Sequence, residues 1–233
     1  MALVESWIRP DGAGELRLNF PEKRNSLSHA LVDEVAEAMD KWEATDVEVA
    51  VLSAVPPIFC AGNDLVEART DRQNAAADRM VELLLERPIF WIMAASGPLL
   101  GAGVTVAAIT PVVIADENAW LALPEREIGL FPAGVLTYVE DQWGSRRSLA
   151  LGLSGERMSP TEAVQRDVYT ELVESGRLDE RVDHWCALAV ERPQVTRAAR
   201  RTWQGRFSSS AASERGAFLK EVLDSQSFDN EVG

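Results

Sequence analysis

Phe59-Cys60-Ala61-Gly62-Asn63-Asp64-Leu65 and Gly97-Pro98-Leu99-Leu100-Gly101-Ala102-Gly103 are the two stretches whose reading decides the fold. Each follows an apolar run of strand length, Val47 to Leu52 and Ile89 to Ala95, and each leads into a segment that reads as a helix. A strand, a glycine turn and a helix start leave backbone N–H groups unpaired and pointing outward. Two such turns side by side hold one oxygen between two amide donors, the geometry of an oxyanion hole. One glycine turn alone is commonplace. The pair proposes a reaction class before any acid or base is named.

Outward from these turns the chain alternates strand and helix signals. Val4 to Ile8 and Glu15 to Asn19 flank Asp11-Gly12-Ala13-Gly14 and predict a hairpin. Ser28 is an N-cap for a helix to about Ala44, with Leu31, Val35, Met39 and Trp42 at helical spacing. A helix over Ala75 to Leu85 stops before Pro88. Val104 to Ile109 is a short, wholly apolar helix that must be buried. Val112 to Ala115 and Trp120 to Leu123 read as further strands. Beyond Pro132 helices dominate, and Ser159-Pro160-Thr161-Glu162 is a capping box. The break near Gly176 divides a mixed α/β core, residues 1–176, from a helical region, 177–233, with helices at about Asp179 to Glu191, Val195 to Trp203 and Ala211 to Leu223. Its aromatic residues Trp185, Trp203, Phe207 and Phe218 suggest docking, with another subunit as one partner.

The 233 residues suffice for a sizeable core, and 46% hydrophobic with 26% charged residues is an ordinary globular composition. A net charge of −14 argues against nucleic acid and against an anionic membrane as partners. No apolar stretch is long enough to span a bilayer, and MALVESWIRPDGAG shows no basic region ahead of an apolar one. Two cysteines, Cys60 and Cys186, make no disulfide framework, so the expected location is the cytoplasm. With only His29 and His184 beside them, both read as structural or surface residues, no metal-ligand spacing appears.

The chain resembles the crotonase family of enoyl-CoA hydratases and isomerases. Besides the two turns, the resemblance is carried by Leu18-Asn19-Phe20-Pro21-Glu22-Lys23-Arg24-Asn25-Ser26-Leu27, Leu123-Pro124-Glu125 with Ile128-Gly129-Leu130-Phe131-Pro132, and Leu151-Gly152-Leu153-Ser154-Gly155 through Ala163. Order and spacing fit from about residue 3 to 175. The resemblance implies an α/β fold, a crotonase-like spiral of ββα units with a C-terminal helical trimerisation region, assembled as a homotrimer or a dimer of trimers. It also implies an acyl-CoA thioester substrate and no cofactor, coenzyme A being part of that substrate. By position, the amides of Asn63 and Ala102 hold the thioester oxygen. Ala102 stands where the family usually has glycine, and its Cβ requires a negative φ there.

By the same resemblance Glu125 occupies one of the two acidic positions of the hydratases. A lone loop glutamate is ordinarily solvated, but one in an apolar acyl pocket has its pKa raised toward neutrality and suits proton transfer. Thr105 stands where the hydratases carry their other glutamate; a hydroxyl is no base near pH 7, and its expected role is a bond back to a helix carbonyl. Ala133 occupies the site of the base in an isomerase branch similar to Ala61-Gly62-Asn63-Asp64-Leu65, so Glu125 is the remaining catalytic residue. Lys23, Arg24 and Lys220 are candidates for CoA phosphates and Phe218 for packing near adenine. Asn25 and Leu27 line the expected CoA cleft through backbone contacts, and Ala61, Gly62, Asp64, Leu65 and Gly101 line the expected substrate site, with Asp64 capping the next helix. Asp71, Tyr138, Glu140 and Asp141 are further candidates near the acyl group. The first reading is a Δ3–Δ2 enoyl-CoA isomerase with one glutamate base. The alternatives are hydration or another thioester reaction (hydrolysis, decarboxylation), and a non-catalytic acyl-CoA-binding homologue.

Overall fold

The computed structural model describes residues 2–68 and 75–207. The chain opens with the expected hairpin, β1 (Val4–Ile8) antiparallel to β2 (Gly14–Leu18), Val4 opposite Leu18. α1 (His29–Glu43) starts where Ser28 Oγ accepts from the Leu31 amide at 3.2 Å, and it buries Leu31, Val35, Met39 and Trp42. Then follow β3 (Val49–Ala54), the single turn α2 (Leu65–Ala68), α3 (Ala75–Glu86), β4 (Phe90–Ala95), β5 (Leu99–Leu100), α4 (Ala102–Ile109), β6 (Val112–Ala115) and β7 (Leu121–Ala122). The remainder comprises α5 (Ala133–Trp143), α6 (Ser145–Ser154), α7 (Pro160–Gln165), β8 (Glu171–Leu172), α8 (Leu178–Glu191) and α9 (Pro193–Gly205).

The main sheet has the order β1-β2-β3-β4-β6-β8, parallel from β2 onward. A second, two-stranded parallel sheet pairs β5 with β7. The central strands read as unbroken apolar runs because both of their faces are covered. Ala50, Leu52, Trp91, Met93, Val113 and Ala115 join the larger core on the helix-rich side. Their alternates Val49, Val51, Phe90, Ile92, Val112 and Ile114 pack on Leu178, Val182, Cys186 and Ala189 of α8. The first helix after Gly176 thus closes the second face of the sheet.

α7 begins with the predicted capping box: Ser159 Oγ accepts from the Glu162 amide, and the Glu162 carboxylate accepts from the Ser159 amide. Two expectations change. A strand was not foreseen after Pro132, yet β8 adds to the edge of the sheet; two residues are too short to display a period. The aromatic side chains of the C-terminal helices also dock on their own chain. Trp203 Nε1 donates to Ile109 O at 2.7 Å, Phe207 packs against Tyr138, and Trp185 Nε1 donates to Glu171 at 2.9 Å. Phe218 and the helix expected over Ala211 to Leu223 lie outside the described residues. Among the described residues no helix is long and apolar enough to cross a membrane.

α4 is pressed onto the first glycine turn. A Cβ built at Gly103 lies 2.7 Å from Cys60 O and 3.0 Å from Cys60 Cβ, and the helical backbone there carries no strain of its own. Gly103→Ala is therefore expected to lower stability by about 2 kcal/mol through overpacking, read as a fall in the urea midpoint with an unchanged slope.

Candidate active site

The two glycine turns meet. The Phe59 and Cys60 amides both donate to Pro98 O, the Leu100 amide donates to Cys60 O at 2.9 Å, and the Gly101 amide donates to Ala122 O at 3.1 Å. On the other flank the Leu27 amide donates to Gly62 O at 2.7 Å, and the Asp64 amide donates to Leu27 O. These bonds engage the neighbours of Asn63 and Ala102 and leave those two amides with no acceptor among the described residues. A Cβ at Gly62 would stand 3.2 Å from Ala102 N, which measures how near the turns come. Gly62 (φ +86°) and Gly101 (φ +51°) hold backbone that L side chains rarely adopt. Ala102 is the first residue of α4 and lies outside the left-handed region, so its Cβ is tolerated and its amide stands at the positive end of the helix dipole.

Glu125 lies in a 3-10 turn, Pro124–Ile128, directly after β7, the partner strand of β5. That connection brings its carboxylate to the second glycine turn: a Cβ on Gly101 would fall 2.8 Å from Glu125 Oε1. Glu125 Oε2 is buried with no hydrogen-bond partner. Desolvation pushes this carboxyl up to about 7, and a hydrogen bond from its own backbone amide offsets only part of the rise. A group that is half ionised at neutral pH both takes and returns a proton.

The other candidates divide by what they touch. Asn25 is fully buried; its Oδ1 accepts from the Phe20 amide at 2.7 Å, and its Nδ2 donates to Val55 O and Ile58 O. Its side chain holds the loop before α1. Leu27 is likewise buried, with its amide and carbonyl tied into the bridge to the first glycine turn. Asp64 caps α2 by accepting from the Val66 amide and pairs with Lys23 Nζ, both at 2.9 Å. Burial alone would raise its carboxyl, but Lys23 and the Val66 amide outweigh that and hold it below its ordinary value. Lys23 is thus engaged in the scaffold, whereas the exposed Arg24 has no ion-pair partner among the described residues. The Ala61 amide donates to Arg24 O, and Leu65 is half-exposed at the start of α2. His29 contacts Glu67 at the surface. Phe218, Lys220, Asp71 and the Asp141 side chain lie outside the described residues.

Beside the two free amides opens a small cleft of about 50 Å3, lined by Asn63, Ala102, Thr105, Tyr138, Asp78 and Val81 among others. Thr105 does not bond back to its helix, contrary to expectation; the back-bonded threonine is Thr110, whose hydroxyl donates to Val106 O at 2.7 Å. Burial, then the charges of Asp78 and Glu82, push the Tyr138 phenol above its ordinary pKa. Sequence reasoning named Tyr138 but missed Asp78 as a lining residue. The available signal was its helical spacing to buried Val81, three residues on. No group of three or more His, Cys, Asp or Glu among the described residues is arranged to hold a metal.

The enoyl-CoA hydratase/isomerase family model matches residues 9–227. A 2,3-dehydroadipyl-CoA hydratase from Escherichia coli (strain K12) is 31% identical over 172 residues, 69% of this chain and 65% of the relative. The chromodomain Y-like protein of Rattus norvegicus is 27% identical over 69% of this chain and only 29% of its own length. The chain thus spans less than two thirds of these curated relatives. Among solved structures, an enoyl-CoA hydratase/isomerase from Xanthobacter autotrophicus Py2 superposes with a TM-score of 0.82 at 21% identity, over 95% of this chain and 86% of the other. An enoyl-CoA hydratase from Mycobacterium avium gives 0.75 at 26% identity, over 95% and 94%. With the paired glycine turns in place and the family model matched over nearly its whole length, the chain belongs to the enoyl-CoA hydratase/isomerase family, with the crotonase fold.

Proposed function

We propose that this protein acts on an acyl-CoA thioester by enolate chemistry and that its reaction is the shift of a Δ3 double bond to Δ2. The observation that carries this reading is the Glu125 carboxyl, pushed up to about 7 and set against the turn that presents the free Ala102 amide. The Glu125 carboxylate removes a proton from C2, and the electron pair moves into the thioester carbonyl. The amides of Asn63 and Ala102 hold the resulting enolate oxygen, each donor contributing roughly 3 kcal/mol to the barrier. Glu125 then returns the proton at C4, and the double bond ends in conjugation with the thioester. Water addition is disfavoured because Thr105 supplies no second carboxyl to orient and deprotonate water. Coenzyme A arrives with the substrate and no other cofactor is required. The same reading includes a trimer or pair of trimers built through residues 177–233.

Turnover of a short 3-enoyl-CoA, followed by the absorbance of the conjugated product, tests the assignment. kcat/KM is expected to rise with pH through about 7, where Glu125 gains its basic form, and Glu125→Gln is expected to cost roughly 10²–10⁴-fold. Wild-type-like turnover in that variant sinks the proposal. A stability measurement checks the desolvation independently. The folded-state pKa lies above the ordinary 4.5, so the native state binds more protons than the unfolded one. Stability is full below pH 4.5 and declines as pH rises through about 7. Glu125→Gln is expected to flatten that decline and to exceed the wild type at pH 8 by on the order of 2 kcal/mol.

A further inference from the structure

β1 is an edge of the main sheet, and its backbone groups divide by parity. The Asn19 amide donates to Leu3 O and the Arg9 amide donates to Ala13 O, at the two ends of a hairpin in which Val4 faces Leu18 and Ile8 faces Gly14. The odd residues Glu5 and Trp7 therefore bond to β2, while the amides and carbonyls of Val4, Ser6 and Ile8 point away from it. Both ends of that outward row are closed. Glu34 of α1 accepts from the Leu3 and Val4 amides at 2.7 and 3.0 Å, and Pro10 has no N–H to offer. Between these stops the Ser6 and Ile8 backbone groups have no partner among the described residues. Trp7 and Ile8, whose side chains point to opposite faces, are 43% and 47% exposed. A free strand edge is a template for another strand, and here only three residues of it are left open.

We propose that Ser6-Trp7-Ile8 pairs antiparallel with the same stretch of a second copy of this chain, about a twofold axis at Trp7. In that register Ser6 faces Ile8 of the second copy, and each of the two pairs exchanges two hydrogen bonds, which engages both amides and both carbonyls of Ser6 and Ile8. The neighbouring twofold registers fail. Centring on Glu5 or Ser6 calls on the Val4 amide, which Glu34 already holds, and centring on Ile8 sets Ser6 against Pro10. Trp7 then stands opposite its own copy in a non-hydrogen-bonded pair, where side chains approach closest. Glu5, half-exposed at the surface, comes opposite Arg9 of the second copy, so the charges complement one another as well. Donors, acceptors and charges thus read the same in both directions, and that symmetry singles out a second copy over a foreign strand. The contact is independent of the acyl-CoA reading and doubles whichever assembly residues 177–233 build.

Cysteine cross-linking of the full chain tests the register. Trp7→Cys sets two sulfurs across a pair whose Cα atoms lie about 4.5 Å apart, within disulfide reach. With diamide as oxidant, at micromolar protein, that variant is expected to run as a linked dimer on a non-reducing gel. Glu5→Cys and Ile8→Cys are expected to run as single chains, because their own copies lie farther off than the roughly 7 Å a disulfide spans. Cys60 and Cys186 are buried, and the wild type is expected to stay unlinked. Sedimentation reads the contact without chemistry. Ser6→Pro removes only an outward amide, and Trp7→Arg sets like charges face to face. Each is expected to raise the concentration needed for doubling at least about tenfold, with an unchanged urea midpoint as the check on folding. No linked dimer from Trp7→Cys, or equal linking by all three cysteine variants, overturns the proposal. A sedimenting mass that Trp7→Arg leaves unmoved overturns it too, and both of these readouts stand even if Ser6→Pro fails to fold.

Discussion

At Gly62, Gly97 and Gly103 the two turns press backbone against backbone so closely that a methyl group has nowhere to go. An added Cβ would lie 2.9 Å from Leu100 O, 2.7 Å from Pro57 O and 2.7 Å from Cys60 O respectively. Within that contact, hydrogen bonds from Phe59, Cys60, Leu100 and Gly101 join the first turn, the second turn and β7 into one unit. The Leu27, Asp64, Leu100 and Gly101 amides nearby are engaged, while among the described residues the amides of Asn63 and Ala102 are left without an acceptor. Their availability follows from the packing and needs no strain in either residue. The large core beneath, built from the helix-facing residues of β3, β4 and β6, holds the strands from which both turns emerge.

The same contact sets the electrostatics. β7 pairs with β5 beside the second turn, so the residue that follows it, Glu125, is delivered against Gly101 and away from water. One oxygen of its carboxylate is left buried and unbonded, and the charged form becomes unfavourable. Asp64, also buried, shows the opposite outcome because Lys23 and a backbone amide compensate it. Two buried acidic residues thus differ in kind: the compensated one fastens the scaffold, and the uncompensated one is poised to exchange a proton.

Much of this was legible along the chain where cause and effect lie within four residues. Ser28 and Ser159 declare helix starts because their partners, Leu31 and Glu162, are three residues away. The apolar runs into β3 and β4 declare buried strands because both faces are covered. The anchoring role of the Asn25 side chain is not legible along the chain, since its acceptors Val55 and Ile58 lie about thirty residues off and nothing local announces them. The aromatic residues of α8 and α9 were legible as docking residues, but not as residues docking on Glu171, Ile109 and Tyr138 of the same chain.

By itself the sequence determined that two glycine turns present backbone amides, that Glu125 follows a strand at an acid's position, and that Thr105 leaves no second carboxyl. The turns reside in local backbone geometry, whereas the standing of Glu125 and Thr105 comes from what the resemblance to the family implies. Only the tertiary structure decided that Glu125 loses its water and titrates near neutrality, and that Asp78 and Tyr138 join Thr105 around one cleft. Desolvation and cleft lining depend on which distant segments close over a group. A residue's own neighbours along the chain carry no record of that.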